Sequence, residues 1–418
     1  MIRPPFQPVA ALKWLALLLP MAAVVGSVSA LFLWSLDAVT RVRFEFPWLL
    51  YLLPVAGVIV GTLYHRFGGK SGGGNNLIMD EIHEPGAGVP RRMGVFVLLG
   101  TLVTHLFGGS AGREGTAVQM GGSVAAAFGK ALRMDAASLR ILLMAGVAAG
   151  FGSVFGTPIA GAVFALEVLV IGRMQYDALV PCFLASLVAD WTCRSWGVGH
   201  AHYFVAVTGP EPHLLLIGKV LLSAVAFGLT GALFAWLMHR LGKWLTQLIP
   251  RPEWRPAVGG LVVIVLFFLA GTPDYLGLGV LGNRPEAITL PAFFSSAEIP
   301  ASAWLWKLAF TAVTLAAGFK GGEITPLFFI GAALGNALAH LLGAPVDLFA
   351  ALGFVAVFAA ATNTPLASTL MGMELFGAGN GLYLAAACII AYRFSGHSGI
   401  YASQRLAVPK FHSDSEGS

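Results

Sequence analysis

Long apolar runs along the chain alternate with short glycine-rich or charged breaks, and that alternation predicts its elements. Apolar helices are expected at 11–37 and 48–66, each long enough for a bilayer, which takes roughly 20 residues. Residues 68–76 then read GGKSGGGNN, followed by a charged stretch, 77–85, too short to span. This stretch is expected as a short helix starting near Asn75 and Asn76, with the preceding glycines supplying a tight turn. Further helices are predicted at 94–107, 116–132, 137–151, 157–171 and 178–196, and after a polar stretch at 214–240 and 256–271. The mixed segment 272–302 is expected to hold a short re-entrant helix, and helices follow at 303–318, 326–342, 347–361, 365–376 and 381–395. Residues 400–405 are amphipathic. Several of these segments are shorter than a straight span, which fits broken or tilted helices around a buried site.

The chain is organised around Gly112-Arg113-Glu114-Gly115-Thr116. An apolar run enters this loop and a helical run leaves it, so a carboxylate and irregular backbone lie at membrane depth. Such backbone is tolerated only where it is buried in protein or lines a cavity. An ionisable residue there marks a functional site. Free N–H groups at a helix start suit an anion. The alternative is that the glycines only let helices pack closely.

An internal repeat supports the functional reading. Glu114 followed by Thr116 is echoed by Glu323 followed by Thr325, and Thr157-Pro158 by Thr364-Pro365. Glu114 to Pro158 is 44 residues and Glu323 to Pro365 is 42; Glu167 and Glu374 each lie nine residues after their proline. Two homologous halves meeting at a midplane site are expected, with boundaries 1–10 (lead), 11–196 (first half), 197–213 (linker), 214–406 (second half) and 407–418 (tail). Glu167 and Glu374 either reach the interface or bond loop backbone.

Composition narrows the class. Of 418 residues, 57% are hydrophobic and 11% charged, and the mean hydropathy is +0.79. Soluble domains carry roughly 25% charge, so the chain reads as an all-α polytopic membrane protein. The net charge of +5 fits interfacial Lys and Arg and gives no sign of nucleic-acid binding. The first apolar run is too long for a signal-peptide core. Thirteen residues follow Arg405, and no soluble regulatory domain is expected there. The three cysteines show no metal spacing, no HExxH, nucleophile elbow or phosphate loop is present, and no enzyme activity, cofactor or metal is expected.

From about residue 11 to 406 the chain resembles the CLC family of chloride channels and anion/proton antiporters. Residues 112–116 are similar to the family's GREGP, with Thr116 replacing proline, and 321–326 to its GxFxP region, altered at Glu323, Ile324 and Thr325. Tyr401 resembles the family's central tyrosine in its last helix. Residues 72–76 lie where the family has GSGIP, so Gly73, Asn75 or Asn76 stands near its anion-binding serine. These departures are similar to the fluoride/proton antiporter clade. Val168 stands where chloride antiporters carry a second acid beside the Glu167 position; this fits the clade and also fits CLC chloride channels. The resemblance implies a CLC-type fold in two inverted-repeat halves, a homodimer with one pathway per subunit, and a prokaryotic plasma-membrane location.

The residues suggest how such a site would work. Glu114 can occupy an anion site when ionised and vacate it when protonated. Fluoride, small and strongly hydrated, needs short, strong hydrogen bonds once dehydrated. Asn75, Thr325 and Tyr401 could supply side-chain donors, and the loops holding Gly115, Thr116, Ile324 and Thr325 backbone donors. Glu323 would support proton transfer or cap its helix. Tyr401 could instead anchor at the interface, Asn75 and Asn76 cap a helix, and Lys320 snorkel or set a positive field. The expected partners are fluoride or chloride, protons, the lipid bilayer and a second copy of the chain.

Overall fold

The computed structural model describes residues 8–86, 88–200, 203, 205, 214–295 and 299–411. Parts of the expected lead, linker and tail (1–7, most of 201–213, and 412–418) lie outside them. The described chain is almost wholly helical: α1 Pro8–Glu45, α2 Leu53–Leu63, α3 Gly74–His83, α4 Arg92–Leu106, α5 Glu114–Ala131, α6 Ala136–Phe155, α7 Pro158–Glu167 and α8 Leu179–Ser195. Then come α9 Leu214–Leu248, α10 Arg255–Ala270, α11 Ala303–Ala316, α12 Ile324–Leu342, α13 Val346–Thr362, α14 Pro365–Phe376 and α15 Gly381–Phe394. Among the described residues, six helical stretches are long and apolar enough to cross a membrane. Leu215, Trp236, Phe268 and Leu269 are well exposed on α9 and α10, as expected of a lipid-facing surface.

Helix pairs pack through small residues. Gly121 of α5 faces Gly146 of α6, and Gly331 of α12 faces Gly353 of α13, so closely that a Cβ on any of them would strike the facing backbone. Helix breaks place irregular backbone inside the protein. At the Thr157-Pro158 and Thr364-Pro365 breaks, proline occupies the first helical position, where its missing N–H costs nothing. The next two N–H groups of α7, from Ile159 and Ala160, donate to the Glu374 carboxylate at 3.0 and 2.7 Å. In return, Leu366 and Ala367 of α14 donate to Glu167 at 3.0 and 2.8 Å. Both glutamates therefore cap each other's helix across the molecule, more than 190 residues away in sequence.

The structure corrects several sequence expectations. Helix α1 runs to Glu45, beyond the apolar run, because its last two turns carry Asp37 and Arg41, paired at 2.9 Å. The second run is split into a 3₁₀ segment, α2 and a π-helical turn before the glycines. Helix α3 starts at Gly74 with no side-chain cap, so Asn75 and Asn76 do not cap it. Among the described residues of 272–302, the one helical piece is a short 3₁₀ turn, Leu290–Phe294; the Lys307 ammonium satisfies the loop carbonyls of Tyr275 (3.2 Å) and Gly277 (2.8 Å) in place of a helical ladder. Tyr401 is not on a helix. The chain there turns into β2, Arg405–Leu406, which runs parallel to β1, Val170–Ile171, just after α7. Arg405 and Ala407 donate to the Leu169 and Ile171 carbonyls (3.1 Å each), which holds Arg405–Leu406 as a strand after the turn at 401–404.

Candidate functional site

The two repeated loops meet. Gly112 and Gly322 exchange a pair of backbone hydrogen bonds, of 2.6 and 2.8 Å, in an isolated antiparallel bridge. This clip sets the start of α5 against the start of α12. Gly115 has no room for a side chain: a Cβ there would lie 3.1 Å from Gly322 Cα, 3.2 Å from Asn75 Nδ2 and 3.3 Å from Glu323 Oε2.

Glu114 is fully buried. Its Oε2 accepts the Thr325 hydroxyl at 2.5 Å, the Thr325 N–H at 3.0 Å and the Arg113 N–H at 3.2 Å. Its Oε1 faces Arg113 Nε at 3.3 Å. The carboxylate of one loop thus sits on the N-terminal donors of the opposite helix, where the helix dipole favours an anion. Ile324, also fully buried, forms the first turn of α12 beside it.

Two separate hollows adjoin the bridged loops, one through Glu323 and the other through Arg113. One, of about 160 Å³, is lined by Gly72, Gly73, Asn75, Gln119, Lys320, Glu323 and Tyr401. The other, of about 480 Å³, is lined by Arg113, Arg43, Asp37, Thr40 and His200, among others. They share no residue, and the buried Glu114 lines neither; Arg113, which bonds its carboxylate, lines the larger, and Glu323 the smaller. His200 lies in the loop after α8, close to Ser153 O (2.9 Å), and burial holds its pKa below the usual imidazole value, so it adds no positive charge to the larger hollow.

Most of the expected site residues converge here. Asn75 and Glu323 face the Gly115 backbone from the smaller hollow, and both carry a buried oxygen (Asn75 Oδ1, Glu323 Oε2) with no hydrogen-bond partner among the described residues. Glu323 makes no side-chain cap to α12, which counts against the capping alternative. All three candidates near the family's serine, Gly73, Asn75 and Asn76, line the hollow; the Asn76 side-chain oxygen also accepts from Ser403 N at 3.1 Å. Tyr401, 6% exposed, lines it from the C-terminal loop. Thr116 does not reach it: its hydroxyl pairs with that of Thr101 on α4 at 2.7 Å. The Lys320 ammonium lies 4.3 Å from the Tyr64 ring centroid and its stem runs along Gly100. Sequence reasoning missed Gln119, although a glutamine in an otherwise small-residue helix, four positions after Gly115, was a usable signal. It also missed Arg43, because α1 was ended at residue 37.

Comparisons with known proteins place the fold in a family. Residues 56–396 match the family described as voltage gated chloride channel. The "Chloride/fluoride channel protein" of Pseudomonas syringae pv. tomato is 50% identical over 402 residues, 96% of this chain and 88% of that protein. A crystal structure of a CLC-type fluoride/proton antiporter superposes with a TM-score of 0.91 at 36% identity, covering 96% of this chain and all of the other. A slow cyanobacterial Cl⁻/H⁺ antiporter shares the fold at a TM-score of 0.79 and 20% identity, over 93% and 95% of the two chains. With its broken helices, its glutamate-plugged helix ends and a match across most of its length, this multi-pass membrane protein belongs to the CLC family of anion channels and transporters.

Proposed function

We propose that the protein is a fluoride/proton antiporter that exports fluoride in exchange for protons. The observation that carries this reading is the Glu114 carboxylate seated on the Thr325 N–H and hydroxyl. Ionised, it fills the position an anion would take. Protonated, it loses the charge that holds it there and leaves two strong donors to the anion. Proton and anion thus compete through one side chain, which is the simplest basis for exchange. Glu323, with a free buried oxygen beside Gly115, is the second proton-handling group on the side of the smaller hollow. Asn75, Gly115, Ile324, Thr325 and Tyr401 surround the anion route, and Thr116 contributes backbone only.

Fluoride gains more than chloride from short hydrogen bonds, and this site offers a hydroxyl, an amide and helix-end N–H groups. The likeness to the fluoride/proton antiporter supports the same anion, and the Pseudomonas relative's name gives fluoride beside chloride. The direction follows from acid chemistry: hydrogen fluoride enters as a neutral acid and ionises inside, and an inward proton gradient can drive fluoride out. The reading includes two inverted halves, 11–196 and 214–406, joined by 197–213, a homodimer with one pathway per subunit, and a bacterial plasma membrane.

Reconstituted protein should release fluoride from liposomes faster than chloride, with matching proton uptake, and Asn75→Ala should narrow the difference. Equal rates for the two anions would favour the alternative, a chloride channel or chloride/proton antiporter.

A further inference from the structure

Away from both hollows, a groove of about 710 Å³ opens on the surface where α1 begins, α4 begins and α5 ends. Its walls are apolar, with Leu17 on α1 and Phe128 and Leu132 on α5 set among alanines. Leu12 and Leu132 are well exposed beside it, as are Val95 and Leu99 along α4, so this side of the molecule presents a lipid-facing surface.

Two cations interrupt the apolar lining: Lys13, in the second turn of α1, and Arg91, just ahead of α4. Both are exposed, and neither side chain has a hydrogen-bond or ion-pair partner among the described residues. No acidic residue lines the groove. The acids that precede Arg91 in the chain are committed elsewhere. Glu81 accepts from the Gly86 and Gly88 N–H groups at 3.2 and 2.6 Å, and Glu84 pairs with Arg405. The helices do not account for the two cations either. A positive charge at a helix start opposes the helix dipole, and the first turns of α1 and α4 hold no acid to offset it. Two uncompensated charges at an apolar groove match a negative head group with hydrocarbon behind it.

We propose that this groove holds one anionic phospholipid of the membrane, with its phosphate between Lys13 and Arg91 and an acyl chain along Leu17, Phe128 and Leu132. A zwitterionic lipid brings its own cation to the same place and gains less. The bound lipid joins the start of α4 to the end of α5, the two helices that bracket the Glu114 loop. The inference does not depend on which anion the protein carries.

The test is native mass spectrometry of the full chain in detergent, titrated with phosphatidylglycerol or with phosphatidylcholine of the same acyl chains. Lys13→Gln, Arg91→Gln and the double variant are measured beside the parent. Each basic side chain at a membrane surface strengthens anionic-lipid binding about fivefold. The parent should therefore prefer phosphatidylglycerol by more than tenfold. Each single variant should lose about fivefold of that preference, and the double variant about 25-fold, which erases it. Glycerol 3-phosphate, the head group without its chains, should not displace the bound lipid at equal concentration. A parent without preference, or a double variant that keeps the parent's, would overturn the lipid site. Displacement by glycerol 3-phosphate would also overturn it, in favour of a site for soluble phosphates. Should the double variant not fold, the two single variants decide by the same measure.

Discussion

Glu114→Gln tests the competition between carboxylate and anion most directly. The substitution keeps the side chain's shape and removes its charge. In the parent, two contacts are short enough to count in full, the Thr325 hydroxyl at 2.5 Å and the Thr325 N–H at 3.0 Å; the Arg113 contacts are longer, at 3.2 and 3.3 Å. A hydrogen bond to a charged acceptor contributes about 1.5–3 kcal/mol, and one to a neutral acceptor about 0.5–1.5. Replacing carboxylate by carboxamide therefore weakens each Thr325 bond by about 1 kcal/mol, and the hold on the seat by about 2 kcal/mol. That is roughly a 30-fold shift. The remaining amide N–H₂ also meets Arg113 Nε donor to donor, which further disfavours the plugged state. Fluoride binding measured by calorimetry on the purified variant should tighten by about 30-fold, because the plug competes less. In liposomes, fluoride movement should lose its proton coupling and its dependence on a pH gradient. The reasoning fails if the variant binds fluoride with parent affinity, or still moves protons in step with fluoride.

Glu323→Gln should abolish or strongly reduce proton movement while leaving thermal stability within about 0.5 kcal/mol, since no cap is lost; parent-like coupling with lowered stability would return Glu323 to a structural role. Gly115→Ala would press a methyl onto Gly322 Cα at 3.1 Å and between Asn75 and Glu323, and should cost about 1–3 kcal/mol, seen as a lower unfolding temperature in detergent, with slowed anion flux. A normal unfolding temperature would mean that the bridged loops yield easily. Glu374→Ala strips α7 of the acceptor for two N–H groups and should cost about 1–3 kcal/mol, with Glu167→Ala equivalent on α14; unchanged melting of both would show that water replaces the carboxylates.

The features legible in the sequence are those with local causes. Apolar runs bounded by glycine and proline located the helices because helix breaking is a property of those residues. The doubled Glu-x-Thr pattern singled out the two loops that the Gly112–Gly322 bridge joins. Distant partners left no such trace. Nothing near Glu167 announces that its oxygens bond Leu366 and Ala367, and nothing near residue 400 announces that Leu169 and Ile171 will draw the chain into a strand. Thr116 was expected at the anion because of its place in the motif, but on a helix its side chain points where α4 offers Thr101. Lys307 reads as an ordinary helix lysine until the loop whose carbonyls it satisfies is seen above it.

The β1–β2 pairing also bears on how the molecule is made. The carbonyls of Val168, Leu169 and Ile171 take partners from residues 404–408: Gln404 Nε2 bonds the Val168 carbonyl and, from the other half, that of Thr362, each at 2.7 Å. Tyr401 rides on this same segment. During synthesis, the first repeated loop is therefore inserted more than two hundred residues before the strand that completes its surroundings. Until that strand arrives, the smaller hollow lacks the wall that Tyr401 provides, and the loop after α7 keeps unpaired carbonyls. The site closes as a late event, so a partly synthesised chain offers the cell no finished route for an anion.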